Sequence, residues 1–348
     1  MKLSEIFTFD NLYNSHKKCR LSKQHKGEVV RFEIDLAKSL SKLVNEFQKG
    51  TYKSGKYKFF TIHDPKIREI EALTYKDRIV IRCFCDYSLI PRLQDKLILD
   101  NAACQKNKGT LFARERLMKF LRAEYARGGK SNDFYFLKCD ISKYFPSINH
   151  RALIWQLAKY GFSKEELKFM WQFIKAGKYQ NDEQGLPLGN QTSQWFALLY
   201  LDTVDRFIKE KLRIKGYVRY MDDFILIHQD KKFLQECKSQ IEELCWSKLK
   251  LKLNRKTQIG KVRDGINFLG FNHKVLPNGE IEIAILQQAR VRLKRHIKVL
   301  KRVKEKGIVD EEYIKQRVNS FSAHLSRSNR NKLLSQKVKE FLVNHNQT

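Results

Sequence analysis

Residues 218–227, VRYMDDFILI, set two adjacent aspartates inside an apolar, strand-like run. Asp222 and Asp223 repel each other, and burying either carboxylate without a partner costs several kcal/mol. A chain that keeps this arrangement must supply something to offset it. A divalent cation does so, because Mg²⁺ prefers hard oxygen ligands and is usually held by carboxylates together with substrate phosphates and water. Asp140 is a third acid in a matching setting, the aromatic and β-branched stretch DFYFLKCDISKYF. Neighbouring strands that each carry an acid are expected to present them at one point. Two metals held there would activate an attacking 3′-hydroxyl and stabilise a leaving pyrophosphate in an in-line displacement. An isolated Asp-Asp pair also occurs in solvated turns, but the flanking tyrosine, the apolar strand and Asp140 point away from that reading.

Charge supplies the next constraint. The 348 residues include 69 Lys+Arg against 38 Asp+Glu, a formal net charge of +31. Such an excess repels itself unless a polyanion screens it, so nucleic acid is the first suspect and an anionic membrane the second. Basic residues spread along the whole chain favour nucleic acid. Apolar content of 42% excludes wholesale disorder, and only 5 prolines argue against a long linker. The 7 cysteines contain no C-x-x-C pair, so they read as free thiols of a reducing compartment rather than a zinc site. With no signal-peptide core and no apolar run of bilayer thickness, a soluble cytoplasmic protein is expected.

Periodicity predicts one helix over 31–49, a β-hairpin over KYKFFTIHDPKIREIEAL turning at Asp64-Pro65, and helices over 76–93, 112–127, 150–177, 191–212 and 231–250. Residues 217–227 read as a strand, and GINFLGFNHKVLPNGEIEI as short strands with an Asn278-Gly279 turn. From about residue 285 the pattern is helical. Ala289, Leu293, Ile297 and Leu300 form an apolar stripe among many Arg and Lys.

YMDD at 220–223 with DISKYF at 140–145 resembles the palm motifs of reverse transcriptases, and further motifs follow in the family's order over about residues 55–275. The resemblance implies an α+β right-hand polymerase, with fingers, an antiparallel palm sheet packed on helices, and a C-terminal helical thumb. The implied boundaries are 1–130 for an N-terminal extension and mainly fingers, 131–275 for mainly palm, and 276–348 for the thumb. It makes Asp140, Asp222 and Asp223 the catalytic, metal-binding acids, with the Ile141 carbonyl a further ligand. Two Mg²⁺ ions, or Mn²⁺ in their place, are the implied cofactors. Phe145 falls where the family keeps a bulky wall against the sugar 2′ position; otherwise it is an ordinary core phenylalanine. PKIREI resembles the fingers hairpin that grips the triphosphate, so Lys66 and Arg68, which alternate with Ile67 on one strand face, become phosphate contacts rather than solvated charges. NKGT at 107–110 resembles a template-contacting segment. Lys256 in LKLNRKTQIG resembles the lysine near the pyrophosphate. Phe268, Leu269, Gly270 and Phe271 in NFLGF resemble the primer grip; the bland alternative is a routine hairpin with core aromatics.

The segment GLPLGNQTSQWFALLYLD discriminates further. Many reverse transcriptases carry Gln-Gly-x-x-x-Ser-Pro at this loop-to-helix junction. Here Leu188 replaces the first glutamine and Gln194 the proline, a variant that resembles the enzymes of diversity-generating retroelements. Those copy a template RNA with frequent errors at adenines. Leu188, Gly189 and Gln191 would line the nucleotide pocket, and Leu188 cannot make a glutamine's hydrogen bond. Losing such a contact loosens discrimination by about 1 kcal/mol, several-fold in selectivity. Implied partners are template RNA, the RNA/cDNA duplex, dNTPs and a small basic oligomeric accessory protein. The alternatives are the reverse transcriptase of a group II intron, retron or antiphage-defence system, an RNA-templated RNA polymerase, and an RNA-binding relative that has lost catalysis.

Overall fold

The computed structural model describes residues 2–63 and 67–330. The chain opens with helices α1 (Leu3–Ile6), α2 (Phe9–Arg20), α3 (Gly27–Ile34) and α4 (Leu36–Gln48). The single helix expected over 31–49 is thus two, broken at Asp35 with φ −117° and ψ 46°. Leu40, Leu43 and Phe47 are buried as their spacing requires, whereas Phe32 and Leu36 belong to different helices and are half-buried. Strands β1 (Lys58–Ile62) and β2 (Arg68–Ala72) pair antiparallel as the expected hairpin. Its Asp64-Pro65 turn and Lys66 lie outside the described residues.

Next come α5 (Tyr75–Phe84), a π turn at Cys85–Leu89, α6 (Ile90–Leu93), α7 (Thr110–Arg127) and β3 (Tyr135–Cys139). The connection to the next strand carries α8 (Tyr144–Ser147), α9 (His150–Ala158), α10 (Lys164–Ile174), α11 (Gln191–Tyr200) and α12 (Asp202–Arg206). Strands β4 (Gly216–Tyr220) and β5 (Asp223–His228), helix α13 (Lys231–Leu249) and strand β6 (Gln258–Lys261) complete the central unit. Its four strands run in the order β4-β5-β3-β6, every pair antiparallel.

Strand alternation gives this sheet two apolar faces. Leu137, Cys139, Phe224 and Leu226 pack into one core with Phe196 of α11 and Ile241 and Cys245 of α13. Phe136, Val218, Ile225 and Ile227 pack into a second with Leu117 and Leu121 of α7. Each such side chain contributes about 1.5–3 kcal/mol when fully buried, so the sheet is a rigid platform.

Strands β7 (Ile266–Phe268), β8 (Phe271–Val275) and β9 (Ile281–Ile285) form a separate antiparallel sheet, and Ile266 and Phe268 join the second core. Helices α14 (Gln287–Glu305) and α15 (Glu311–Leu325) follow. The pattern expected to be helical from about residue 285 becomes helical at Gln287, directly after β9. Leu293 and Leu300 of α14 face Ile314 and Val318 of α15, while Arg290, Lys294, Arg295, Lys298 and Arg302 stay exposed. Residues 331–348 of the expected thumb lie outside the described residues. All 7 cysteines are free, and Cys104 alone is exposed. Among the described residues no helix is long and apolar enough to cross a membrane.

Candidate active site

The run read as one strand is a hairpin. β4 and β5 turn back at Met221 and Asp222, with Tyr220 paired to Asp223. No Gly or Asn marks the turn, and Met221 takes a left-handed φ of 56°, which costs a non-glycine residue about 1 kcal/mol or more. A brace beneath the turn offsets that strain. Arg219 is fully buried and donates from Nη1 to the Met221 carbonyl at 2.9 Å. The same guanidinium grips Asp205 of α12 through Nε at 2.7 Å and Nη2 at 2.5 Å, and Nη2 also reaches the Leu198 carbonyl of α11 at 3.0 Å. The Tyr217 hydroxyl donates to Asp205 at 2.6 Å, which completes the buried network.

The β3–β5 register pairs Cys139 with Phe224; continued by one residue, it sets Asp140 opposite Asp223. The carboxylates share one electrostatic neighbourhood. Burial, reinforced by Asp140 and Asp222 and opposed by Lys138, pushes the Asp223 carboxyl up to about 6. Burial and then Asp140 also raise Asp222, against the Arg219 and Arg68 guanidinia. Arg68, exposed at the start of β2, is thus near enough to act on the turn.

A hard divalent cation suits this donor set. Asp223 Oδ1 is buried without a hydrogen-bond partner, and both raised carboxylates would be relieved by positive charge. Among the described residues, no three His, Cys, Asp or Glu side chains stand close enough together to enclose a metal ion. Asp223 Oδ2 accepts a hydrogen bond from Lys138 Nζ at 3.0 Å.

The remaining expected residues surround this centre to differing degrees. Ile141 is buried and bridges to Leu253. The bonds that close the bridge, Ser142 N to Lys252 O at 2.9 Å and Asn254 N to Asp140 O at 2.7 Å, come from its neighbours and do not use the Ile141 carbonyl. They also stitch the Lys256 segment to Asp140, since Lys256 N donates to Asn254 Oδ1 at 3.0 Å; the Lys256 side chain itself is exposed. Phe145 is half-buried in α8, and its carbonyl accepts from Leu186 N at 2.9 Å, which ties it to the Leu188 loop. Lys108 of NKGT donates to the Leu99 and Asn101 carbonyls at 3.0 Å, a structural use.

The Leu188–Gly189 segment lies directly on β2. Glu71 N donates to the Leu188 carbonyl at 2.7 Å. Gly189 has φ 135°, and a Cβ there would stand 2.6 Å from the Glu71 carbonyl oxygen, so this approach requires glycine. Gln191, half-buried, opens α11. Three residues after Arg68, the fingers-like hairpin is therefore pinned to the loop that distinguishes this sequence.

Leu269 and Gly270 form the β7–β8 turn with φ of 49° and 87°, both left-handed as a two-residue hairpin demands. Phe268 and Phe271 are only 1% and 2% exposed, and the Arg114 guanidinium lies 3.6 Å from the Phe271 ring centre. These two aromatics are core residues that support the turn, and Leu269 and Gly270 at its tip are half-buried. Arg219, Asp205 and Lys138 were not anticipated. Lys138, two residues from Asp140, lies on the same strand face, but its pairing with Asp223 left no mark in the sequence.

A family model described as reverse transcriptase (RNA-dependent DNA polymerase) matches residues 48–273, well over half of the chain. Protein YkfC of Escherichia coli (strain K12) is 25% identical over 185 residues, covering 41% of this chain and 47% of that protein. Apo telomerase from Candida tropicalis, truncated from the C-terminal domain, superposes with a TM-score of 0.50 at 18% identity, covering 66% of this chain and 55% of that one. Telomerase from Candida albicans in complex with the TWJ fragment of telomeric RNA gives 0.51 at 13% identity, covering 68% and 47%. The chain spans about half the length of the relatives it matches. At these identities the structural likeness establishes the fold, a right-hand polymerase with an antiparallel sheet packed on helices. Together with the family match, it follows that this chain belongs to the reverse transcriptase (RNA-dependent DNA polymerase) family.

Proposed function

We propose that the chain is an RNA-directed DNA polymerase that makes error-prone, adenine-mutagenic cDNA for a diversity-generating retroelement. The observation that carries this reading is the meeting of three elements. The Leu188–Gly189 loop is hydrogen-bonded to the Arg68 strand through Glu71, and the Arg68 charge acts electrostatically on the Asp222 turn. On this reading residues 1–130 are the N-terminal extension and mainly fingers, 131–275 mainly palm, and 276–348 the thumb, whose helices begin at Gln287.

Asp140, Asp222 and Asp223, with the Ile141 carbonyl, would hold two Mg²⁺ ions. Bound there, the ions supply Lewis acidity for nucleotidyl transfer from a dNTP to a 3′-hydroxyl. The protein's own contribution is positional. Arg68 and Lys66 steady the triphosphate, Lys256 is placed to donate a proton to the leaving pyrophosphate, and Phe145 walls off the 2′ position. Leu188 offers the nucleotide an aliphatic surface in place of a hydrogen-bonding amide. The adenine preference is carried over from the family resemblance. Template RNA and the RNA/cDNA duplex suit the +31 charge, and RNA is also the partner in the Candida albicans telomerase structure. A small basic oligomeric accessory protein completes the proposed partners.

The test is direct: purified protein, a primed RNA template, Mg²⁺ and dNTPs should yield cDNA, and failure under all priming modes would reject the polymerase reading. Leu188→Gln is expected to lower misincorporation opposite template adenine several-fold, measured by sequencing cDNA from an adenine-rich template. An unchanged error spectrum would detach fidelity from this position. Phe145→Ala should admit ribonucleotides about tenfold more readily, read as the ratio of kcat/KM for NTP and dNTP. An unaltered ratio would remove the proposed sugar gate.

A further inference from the structure

We propose that Lys138 is a resident counter-cation of the candidate metal site and a positioning residue that links the site to the β7–β8 hairpin. The inference rests on the metal-binding role proposed for Asp223 and goes beyond it. Lys138 Nζ donates to Asp223 Oδ2 at 3.0 Å and to the Asn267 carbonyl of β7 at 2.6 Å. One ammonium thus spans from the four-stranded sheet to the hairpin that ends in Leu269 and Gly270. By strand alternation Lys138, Asp140 and Asp223 project from the same sheet face, so the ammonium lies on the acids' side of the sheet, in contact with Asp223. Asp223 Oδ2 faces the lysine while Oδ1, buried, has no partner.

The physical consequence has a definite sign. Without metal, the ammonium neutralises part of an acidic cluster that would otherwise repel itself. With metal, the same ammonium opposes a second cation at close range, and that repulsion is little screened away from bulk water. Removing the charge should therefore tighten metal binding and weaken the metal-free protein. A lysine with only a packing role predicts the reverse for metal, because a disordered ligand set binds less well. Removing the bond to Asn267 should also loosen the hairpin and raise the KM for primer–template more than it lowers kcat.

The experiment uses Mn²⁺ binding to the nucleic-acid-free full chain, followed by calorimetry or by the paramagnetic resonance of free Mn²⁺. Wild type should bind weakly, and an Asp222→Ala, Asp223→Ala double variant should lose that binding. Lys138→Met, with Lys138→Gln as a second neutral variant should the first not fold, is expected to bind Mn²⁺ about tenfold more tightly or better. Its melting temperature should be lower than wild type without metal and rise further on saturation. Lys138→Arg should behave as wild type in both assays. Unchanged or weaker Mn²⁺ binding by a folded neutral variant overturns the role given to Lys138 and leaves the metal site standing. Wild-type Mn²⁺ binding that survives the double aspartate variant overturns the metal site itself, and the lysine's role falls with it.

Discussion

Replacing Asp222 by alanine is expected to abolish dNTP incorporation, by about 10³-fold or more in kcat/KM, with no loss of thermal stability. The first half follows from the proposed chemistry, since a metal-held transition state worth several kcal/mol is lost with its ligand. The second half follows from the geometry. Asp222 occupies a turn, and its carboxyl is raised by burial and by Asp140. Removing an acid that the fold holds at a cost leaves stability unchanged or slightly higher. The combination distinguishes a functional acid from a structural one. Single-nucleotide extension on a primed RNA template, alongside thermal melting, reads both. Retained incorporation by an Asp222→Ala, Asp223→Ala double variant of wild-type stability would refute the assigned site.

Much of this site was legible because each informative stretch violated the ordinary pattern of its surroundings. Acids interrupted the apolar runs at 140 and 222–223, Gly189 followed an unexpected aliphatic residue, and Leu269-Gly270 punctuated a strand pair. The fold class came with the family resemblance that those stretches carry, while periodicity located most of the individual helices and strands. What stayed hidden was of another kind. The hairpin turn at Met221 carries no turn residue, because tertiary bonds and not local propensity impose its φ of 56°. The helix break at Asp35 and the π turns at Cys85–Leu89 and Phe207–Lys211 leave the helical period nearly intact. Strand β9, expected after the Asn278-Gly279 turn, runs to Ile285, two residues past the stretch read as strand. Arg219 and Lys138 were two basic residues among 69. Their meaning lies in Asp205, 14 positions away, and in Asp223, 85 positions away, distances over which a single sequence carries no pairing signal.

Arg219→Met is expected to destabilise the protein by about 3–5 kcal/mol, because it leaves Asp205 charged, buried and unpaired. Against a typical total of about 5–15 kcal/mol that is a large fraction, and it should appear as a fall in Tm of about 10 °C. The single variant cannot separate stability from function, but a second substitution can. Asp205→Asn in the Arg219→Met background removes the orphaned charge while keeping an acceptor for the Tyr217 hydroxyl, so most of the lost Tm should return. Activity should not return with it. The Met221 carbonyl would still lack its 2.9 Å bond, and the strained turn that aims Asp222 would relax toward an ordinary φ. Displacement of a reacting group by about 1 Å costs on the order of 10²-fold in rate. A folded double variant with kcat depressed by that order and a nearly unchanged KM for dNTP is the signature of a brace on the catalytic turn. Recovery of both Tm and kcat would show instead that Arg219 serves only to neutralise Asp205.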